Sequence, residues 1–114
     1  PSKMEIHGRS LKTPGILCEQ PQMTVCLTAD TGSQTSVLPM TIGILIRNGL
    51  SFEDAMKGVT INPARILNLE DRIGSLEEGK DADIAIFDGH PFSSLSACRM
   101  TIIDGKIVHD TLTK

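Results

Sequence analysis

A carboxylate that closes an apolar run and opens a polar loop is the feature of this sequence best suited to chemistry. Asp30 follows the run Met23-Thr24-Val25-Cys26-Leu27-Thr28 and precedes Thr31-Gly32-Ser33-Gln34-Thr35-Ser36. In α/β barrels the carboxyl end of a strand is where catalytic groups project. A carboxylate there can ligate a divalent metal or take a proton from metal-bound water. The same residue can instead cap its loop by accepting a backbone N–H two residues on. Local sequence favours the cap and leaves both readings open. The other reactive residue types offer less. His7, His90 and His109 are far apart, with no H-x-H or H-x-x-x-H spacing, and each reads as a surface or edge histidine. Cys18, Cys26 and Cys98 are widely spaced and form no C-x-x-C pair. They read as reduced, partly buried thiols of a cytoplasmic protein, and no neighbour suggests the depressed thiol pKa that a nucleophile needs. A G-x-S-x-G elbow and glycine-rich phosphate loops are absent. Asp81 and Asp83 could look like a paired-carboxylate site, but read better as a turn residue and a strand-entry residue that accepts backbone bonds. Glu77-Glu78 reads as a solvated turn.

The elements that must position Asp30 follow from local patterning. A short helix fits Leu11 to Cys18, limited by Pro14-Gly15. Residues 23–28 are β-branched and apolar and predict a strand. From Pro39 the pattern becomes helical, ending at Asn48-Gly49 in a left-handed cap. Ser51 predicts an N-cap with Asp54 completing the box. Asn62-Pro63 predicts the cap and first residue of another helix, which stops near Asn68. The remainder turns to β structure. Ile73 to Leu76 predicts a short strand, Glu77 to Lys80 a turn, and Asp83 to Asp88 a strand apolar on both faces and therefore covered on both sides. Residues 89–95 predict a loop. Arg99–Ile103 and Lys106–His109 predict a hairpin about Asp104-Gly105, whose turn wants positive φ twice. The strand at 23–28 has no partner nearby in sequence. Its edges need other strands, from chain outside these residues or from another subunit.

Composition narrows the function classes. The chain has 114 residues, three of them aromatic, and a formal net charge of −3. That excludes a basic footprint for nucleic acid or an anionic membrane and a stacking platform for single strands. No apolar run approaches the roughly 20 residues of a bilayer span, and no secretory leader pattern opens the sequence. The first residue is Pro1 rather than Met, as expected if something precedes it in the gene product.

Longer stretches carry a resemblance. Gly49 to Leu69 is similar to the last barrel helices of the amidohydrolase superfamily. Arg72 to Ile84 resembles its G-S-L-E-x-G-K-D-A-D signature, and Ile103-Asp104-Gly105-Lys106 resembles its closing hairpin. The nearest branch is the one related to imidazolonepropionase. The resemblance implies an α/β chain: the C-terminal part of a metal-dependent (β/α)8 barrel hydrolase, with strands of a flanking small β-sandwich. Residues 1–70 would be the terminal barrel segment and 71–114 the sandwich strands. The family's ligands are an H-x-H pair, a Lys, Glu or Gln, two further histidines and a final Asp; only the last maps here, onto Asp30. The resemblance makes Asp30 both metal ligand and proton acceptor. In the branch named, that Asp is often followed by His-Pro; here Thr31-Gly32 follows it.

The expected parent reaction is metal-assisted water attack on an amide or cyclic C–N bond of a small molecule, with zinc as the first-choice divalent ion. A barrel of this type needs about 250 residues, and a catalytic zinc typically takes three protein ligands. The chain alone is therefore expected neither to bind the metal tightly nor to turn over substrate. The alternative is a non-catalytic domain that self-associates as a homo-oligomer or pairs with an N-terminal segment through its orphan faces. An unrelated small α/β binding domain would require the signature match to be chance.

Overall fold

Pro39 near the start and Gly49 just past the end bracket the longest helix. The computed structural model describes residues 10–113, and His7 lies outside them. Helix α1 spans Thr13–Cys18, α2 Gly32–Thr35, α3 Leu38–Arg47, α4 Phe52–Val59 and α5 Ile61–Ile66; strand β1 spans Ile84–Phe87, β2 Cys98–Ile103 and β3 Lys106–Asp110. At the end of α3, Gly49 takes φ +110° and the Leu50 N–H donates to Leu45 O at 3.1 Å. This satisfies a carbonyl that the helix leaves orphaned. Ser51 then caps α4, its Oγ accepting the Asp54 N–H at 3.0 Å. Removing one such cap costs about 1 kcal/mol. Ser51→Ala is expected to lower the denaturant midpoint accordingly, with an unchanged slope.

The three strands form one antiparallel sheet in the order β1-β2-β3. Asp104 and Gly105 take φ +52° and +77°, the mirror-image turn that matches strand twist. The turn is pinned to the entry of β1. Asp83 Oδ1 accepts the Asp104 N–H at 2.9 Å, and the Gly105 N–H reaches Ala82 O at 3.0 Å. At the other end of the sheet Asp88 closes the loop 88–97, accepting the Ala97 N–H at 2.8 Å and Arg99 Nε at 2.9 Å. The Ala97 N–H first, and Arg99 after it, hold the Asp88 carboxyl below its ordinary range.

Five sequence expectations need correction. Gly32–Thr35, read as part of a polar loop, form the single turn of α2. Residues 23–29 belong to no strand ladder, because no strand of the described residues lies beside them to complete one. Asn62 does not cap α5: the helix starts earlier, at Ile61, with Thr60 before it and no side-chain cap. Residues 73–75 are bends and Leu76 has no regular structure, so no strand forms there. Gly74 there takes φ +99°, and Asp81 N–H bonds Arg72 O at 2.8 Å to close the excursion. The strand at 84–87 is not covered on both faces, since Ala85 and Ile86 are exposed.

The core is small. Among the described residues only Ile42, Leu50, Ala55, Ala64 and Phe92 are buried apolar side chains. Ile42, Leu50, Ala55 and Phe92 form one cluster, bordered by Leu27, Leu45 and Met56 among others. Large apolar side chains remain outside, with Leu76 79% and Leu95 94% exposed. No helix among the described residues is long and apolar enough to cross a membrane.

Candidate functional site

Asp30 stands between the 23–29 segment and the single turn of α2, at the surface. Its own N–H donates to Gln34 Oε1 at 3.2 Å. Among the described residues its carboxylate accepts no hydrogen bond, so the loop-capping bond to a backbone N–H two residues on is not formed. The loop holds itself by other means: Thr35 Oγ1 donates to Thr31 O at 3.3 Å, and the Thr31 and Ser33 hydroxyls meet at 3.1 Å. Next to Asp30 is a hollow of about 290 Å³ lined by Thr28, Ala29, Gln34, Val37, Leu38 and Thr41. A larger hollow of about 380 Å³ lies away from it, between Val59-Thr60, the 73–76 bend and the start of β1.

The segment that presents Asp30 is held from one side by two helices. The Leu27 N–H donates to Gly58 O, in the last turn of α4, at 2.9 Å. The Asn62 side-chain amide, on α5, donates from Nδ2 to Val25 O at 3.0 Å, across 37 positions of sequence. Gly58 is buried, and a Cβ there would sit 3.1 Å from Leu27 Cγ and 3.2 Å from Leu27 Cδ1. Sequence reasoning missed both residues. Asn before Pro is a cap signal, and no local pattern distinguishes a cap from a tertiary donor.

The remaining candidates serve structure. His90 packs on Phe52 with ring centroids 4.1 Å apart, and its Nδ1 accepts the Phe92 N–H at 3.1 Å. His109 Nε2 lies 3.2 Å from Cys98 O. A nitrogen facing a carbonyl carries the proton. All three cysteines are free thiols. Burial first, and then the charge of Asp54, push the Cys18 thiol up, the wrong direction for a nucleophile. Asp81 binds Arg72 at 2.7 Å, and with Asp83 committed to the hairpin the two do not form a carboxylate pair for catalysis. In the G-S-L-E-x-G-K stretch, Lys80 Nζ donates to Ser75 Oγ at 2.6 Å and meets Glu77 Oε2 at 3.0 Å. The Ser75 hydroxyl donates to the same carboxylate. These bonds, Ser75 first, hold the Glu77 carboxyl below its ordinary range. That stretch is a locked turn, not a reaction centre.

As a metal centre the donor set does not fit on its own. Among the described residues no group of three or more His, Cys, Asp or Glu could hold an ion, and Asp30 offers a single carboxylate where a catalytic zinc takes three protein ligands.

Comparison with known proteins places this geometry in a family. The amidohydrolase family model matches residues 14–109. An imidazolonepropionase of Shewanella baltica (strain OS223) is 31% identical over 109 residues, covering 86% of this chain and 26% of that protein. Adenine deaminase 2 of Jannaschia sp. (strain CCS1) is 39% identical over 87 residues, 72% of this chain and 14% of that protein. The crystal structure of an amidohydrolase from Thermotoga maritima MSB8 superposes with a TM-score of 0.88 at 35% identity, covering 96% of this chain and 28% of that one. The chain thus spans about a quarter of the length of the imidazolonepropionase it matches. A family match along nearly the whole sequence, with the same fold over the same stretch of a solved member, leads to one conclusion: this chain belongs to the amidohydrolase family.

Proposed function

We propose that residues 1–114 are the closing section of a hydrolase that cleaves amide or cyclic C–N bonds in a small molecule, and that Asp30 is its metal-binding and proton-accepting carboxylate. Residues 1–70 supply the last barrel strand and helices, and 71–114 the strands of a flanking sandwich. One observation carries this reading: the Asp30 carboxylate is exposed, and has no hydrogen-bond partner among the described residues, at the end of a segment that α4 and α5 fix in place. A carboxylate so placed can accept a proton from water attacking an amide carbon. The histidines and the Lys, Glu or Gln that complete a divalent metal site, zinc in the first instance, come from outside these residues. Lewis-acid activation of water is the chemistry such an ion supplies. The exposed apolar side chains and open sheet edges are the faces that the rest of the fold, or a second copy, would cover.

The test is a paired measurement of zinc content and hydrolysis on the 114-residue chain and on the full-length polypeptide that contains it. Zinc and turnover are expected in the full-length protein only. Stoichiometric zinc with amide turnover in the 114-residue chain would overturn the division of the site, and absence of both from the full-length protein would overturn the function.

A further inference from the structure

We infer that Asn48-Gly49 is a self-modifying site, at which the Gly49 backbone nitrogen can displace the Asn48 side-chain amide, and that the cap closing α3 holds this reaction off. The step needs only water as co-reactant. Base takes the Gly49 N–H proton, the nitrogen bonds Asn48 Cγ, and the Cγ–Nδ2 bond breaks. The departing amide recovers that proton as ammonia and leaves a cyclic succinimide. Water then opens the ring at either carbonyl, giving Asp or its β-linked isomer at position 48. Asparagine is thermolabile in general, and a following glycine has no Cβ to crowd the ring. The other two asparagines, Asn62 and Asn68, precede Pro63 and Leu69. Proline has no N–H to lose, and the leucine side chain crowds the ring. Asp88-Gly89 and Asp104-Gly105 also have the glycine, but an ionised carboxylate is a poor electrophile.

In the folded chain both reacting groups are engaged. The Gly49 N–H donates to Ile46 O at 3.2 Å and the Leu50 N–H to Leu45 O at 3.1 Å, the paired bonds of a glycine-closed helix end. Asn48 Nδ2 donates to Ile44 O at 2.8 Å, which parks the carboxamide against the last turn. Ring closure needs ψ of Asn48 at roughly −120°, where the Gly49 nitrogen eclipses Cβ, whereas ψ is 21°. Rotating it there drags on Leu50, which is 2% exposed and belongs to the core cluster. The reaction is therefore confined to molecules in which the end of α3 has opened. Its product keeps that end open. Position 48 loses its donor to Ile44 O and gains a negative charge at a helix C-terminus, which the dipole disfavours. The β-linked form also inserts an extra main-chain carbon before Leu50.

The experiment incubates the full-length polypeptide at mildly alkaline pH, in buffer and in guanidinium chloride, and follows the amide-to-acid mass gain at each asparagine by peptide mapping. In guanidinium Asn48 is expected to react ahead of Asn68, with Asn62 unchanged, and Asn48→Gln to abolish the gain at this position. In buffer the reaction at Asn48 is expected to slow by about 10-fold or more, and by at least the factor that protects the Gly49 amide from hydrogen exchange. Leu50→Ala, which loosens the cap, is expected to speed the reaction in buffer and leave the rate in guanidinium as it was. Asp83→Ala, which loosens the distant hairpin turn, is expected to change neither rate. Asn48→Asp, the charge-bearing product, is expected to speed exchange of the Gly49 amide. A rate at Asn48 in buffer within twofold of that in guanidinium would show that the cap gives no protection. Equal acceleration by Leu50→Ala and Asp83→Ala would place the barrier in global unfolding and overturn the role of the cap. A denatured chain in which Asn48 outlasts Asn68 would overturn the site itself.

Discussion

On the proposed reading of Asp30, Asp30→Asn in the full-length polypeptide is expected to lower kcat for hydrolysis of the proposed amide or cyclic amide substrate by about 10²–10⁴-fold, the range that a positioned acid–base group contributes. Folding is unaffected. The side chain is exposed and its carboxylate has no hydrogen-bond partner among the described residues, while the bond that does involve Asp30 comes from its backbone N–H to Gln34. Asparagine preserves that bond and the side-chain shape, and surface substitutions of this kind stay within about ±0.5 kcal/mol. Rate and stability therefore separate: a large loss of turnover accompanies an unchanged melting temperature. A carboxylate retained only for solubility or for loop geometry would leave turnover near that of the parent. Turnover within twofold of the parent would remove Asp30 from the reaction.

The parts of the fold legible in the sequence are those written in local chemistry. The box at Ser51 and Asp54, the stop at Asn48-Gly49 and the turn at Asp104-Gly105 each use a bond or a φ angle set within four residues. The structure reproduces the stop and the turn, and of the box it shows the Ser51 half, the Asp54 N–H donating to Ser51 Oγ. Asp83 was also readable, as a strand-entry acceptor, although its partner, the Asp104 N–H, lies 21 residues away. What local pattern could not reveal was partnership at long range. Residues 23–28 have strand chemistry, but a strand is a property of a pair, and no strand of the described residues pairs with them. Asn62 has cap chemistry, yet its amide crosses to Val25. The 84–87 strand is apolar on both faces, as strands covered on both sides are, and here Ala85 and Ile86 face outward. The departures share one trait, that each depends on contacts distant in sequence: Asn62 finds its partner in Val25 of this chain, whereas nothing among the described residues pairs with 23–28 or covers both faces of 84–87. The family signature was legible for a different reason. Ser75, Glu77 and Lys80 lock one turn, and Asp81 and Asp83 tie it to Arg72 and to the hairpin, so its residues track the fold rather than the substrate.

Ile42→Ala is expected to be the most damaging single truncation in the core, costing the upper part of the 2–5 kcal/mol range for such a change. Among the described residues Ile42 is the largest fully buried side chain and is only 1% exposed. It packs in one cluster with Leu50, Ala55 and Phe92. How much a truncation costs depends on whether neighbours can move into the space, and here the neighbours are held. Gly43 already lies against the Phe92 carbonyl, which is 2.4 Å from where a glycine Cβ would be, so the loop bearing Phe92 has no room to settle onto α3. Leu50 is fixed by the cap of α3 and Ala55 by the first turns of α4. A domain of this length is marginal to begin with, and few other buried side chains share the load. The denaturant midpoint should therefore fall steeply for Ile42→Ala, whereas Leu95→Ala, at a side chain 94% exposed, should leave it unchanged. A loss under about 1 kcal/mol at Ile42 would mean that the cluster relaxes around the missing atoms, and that the chain's stability resides in surfaces covered by the rest of the protein rather than in this core.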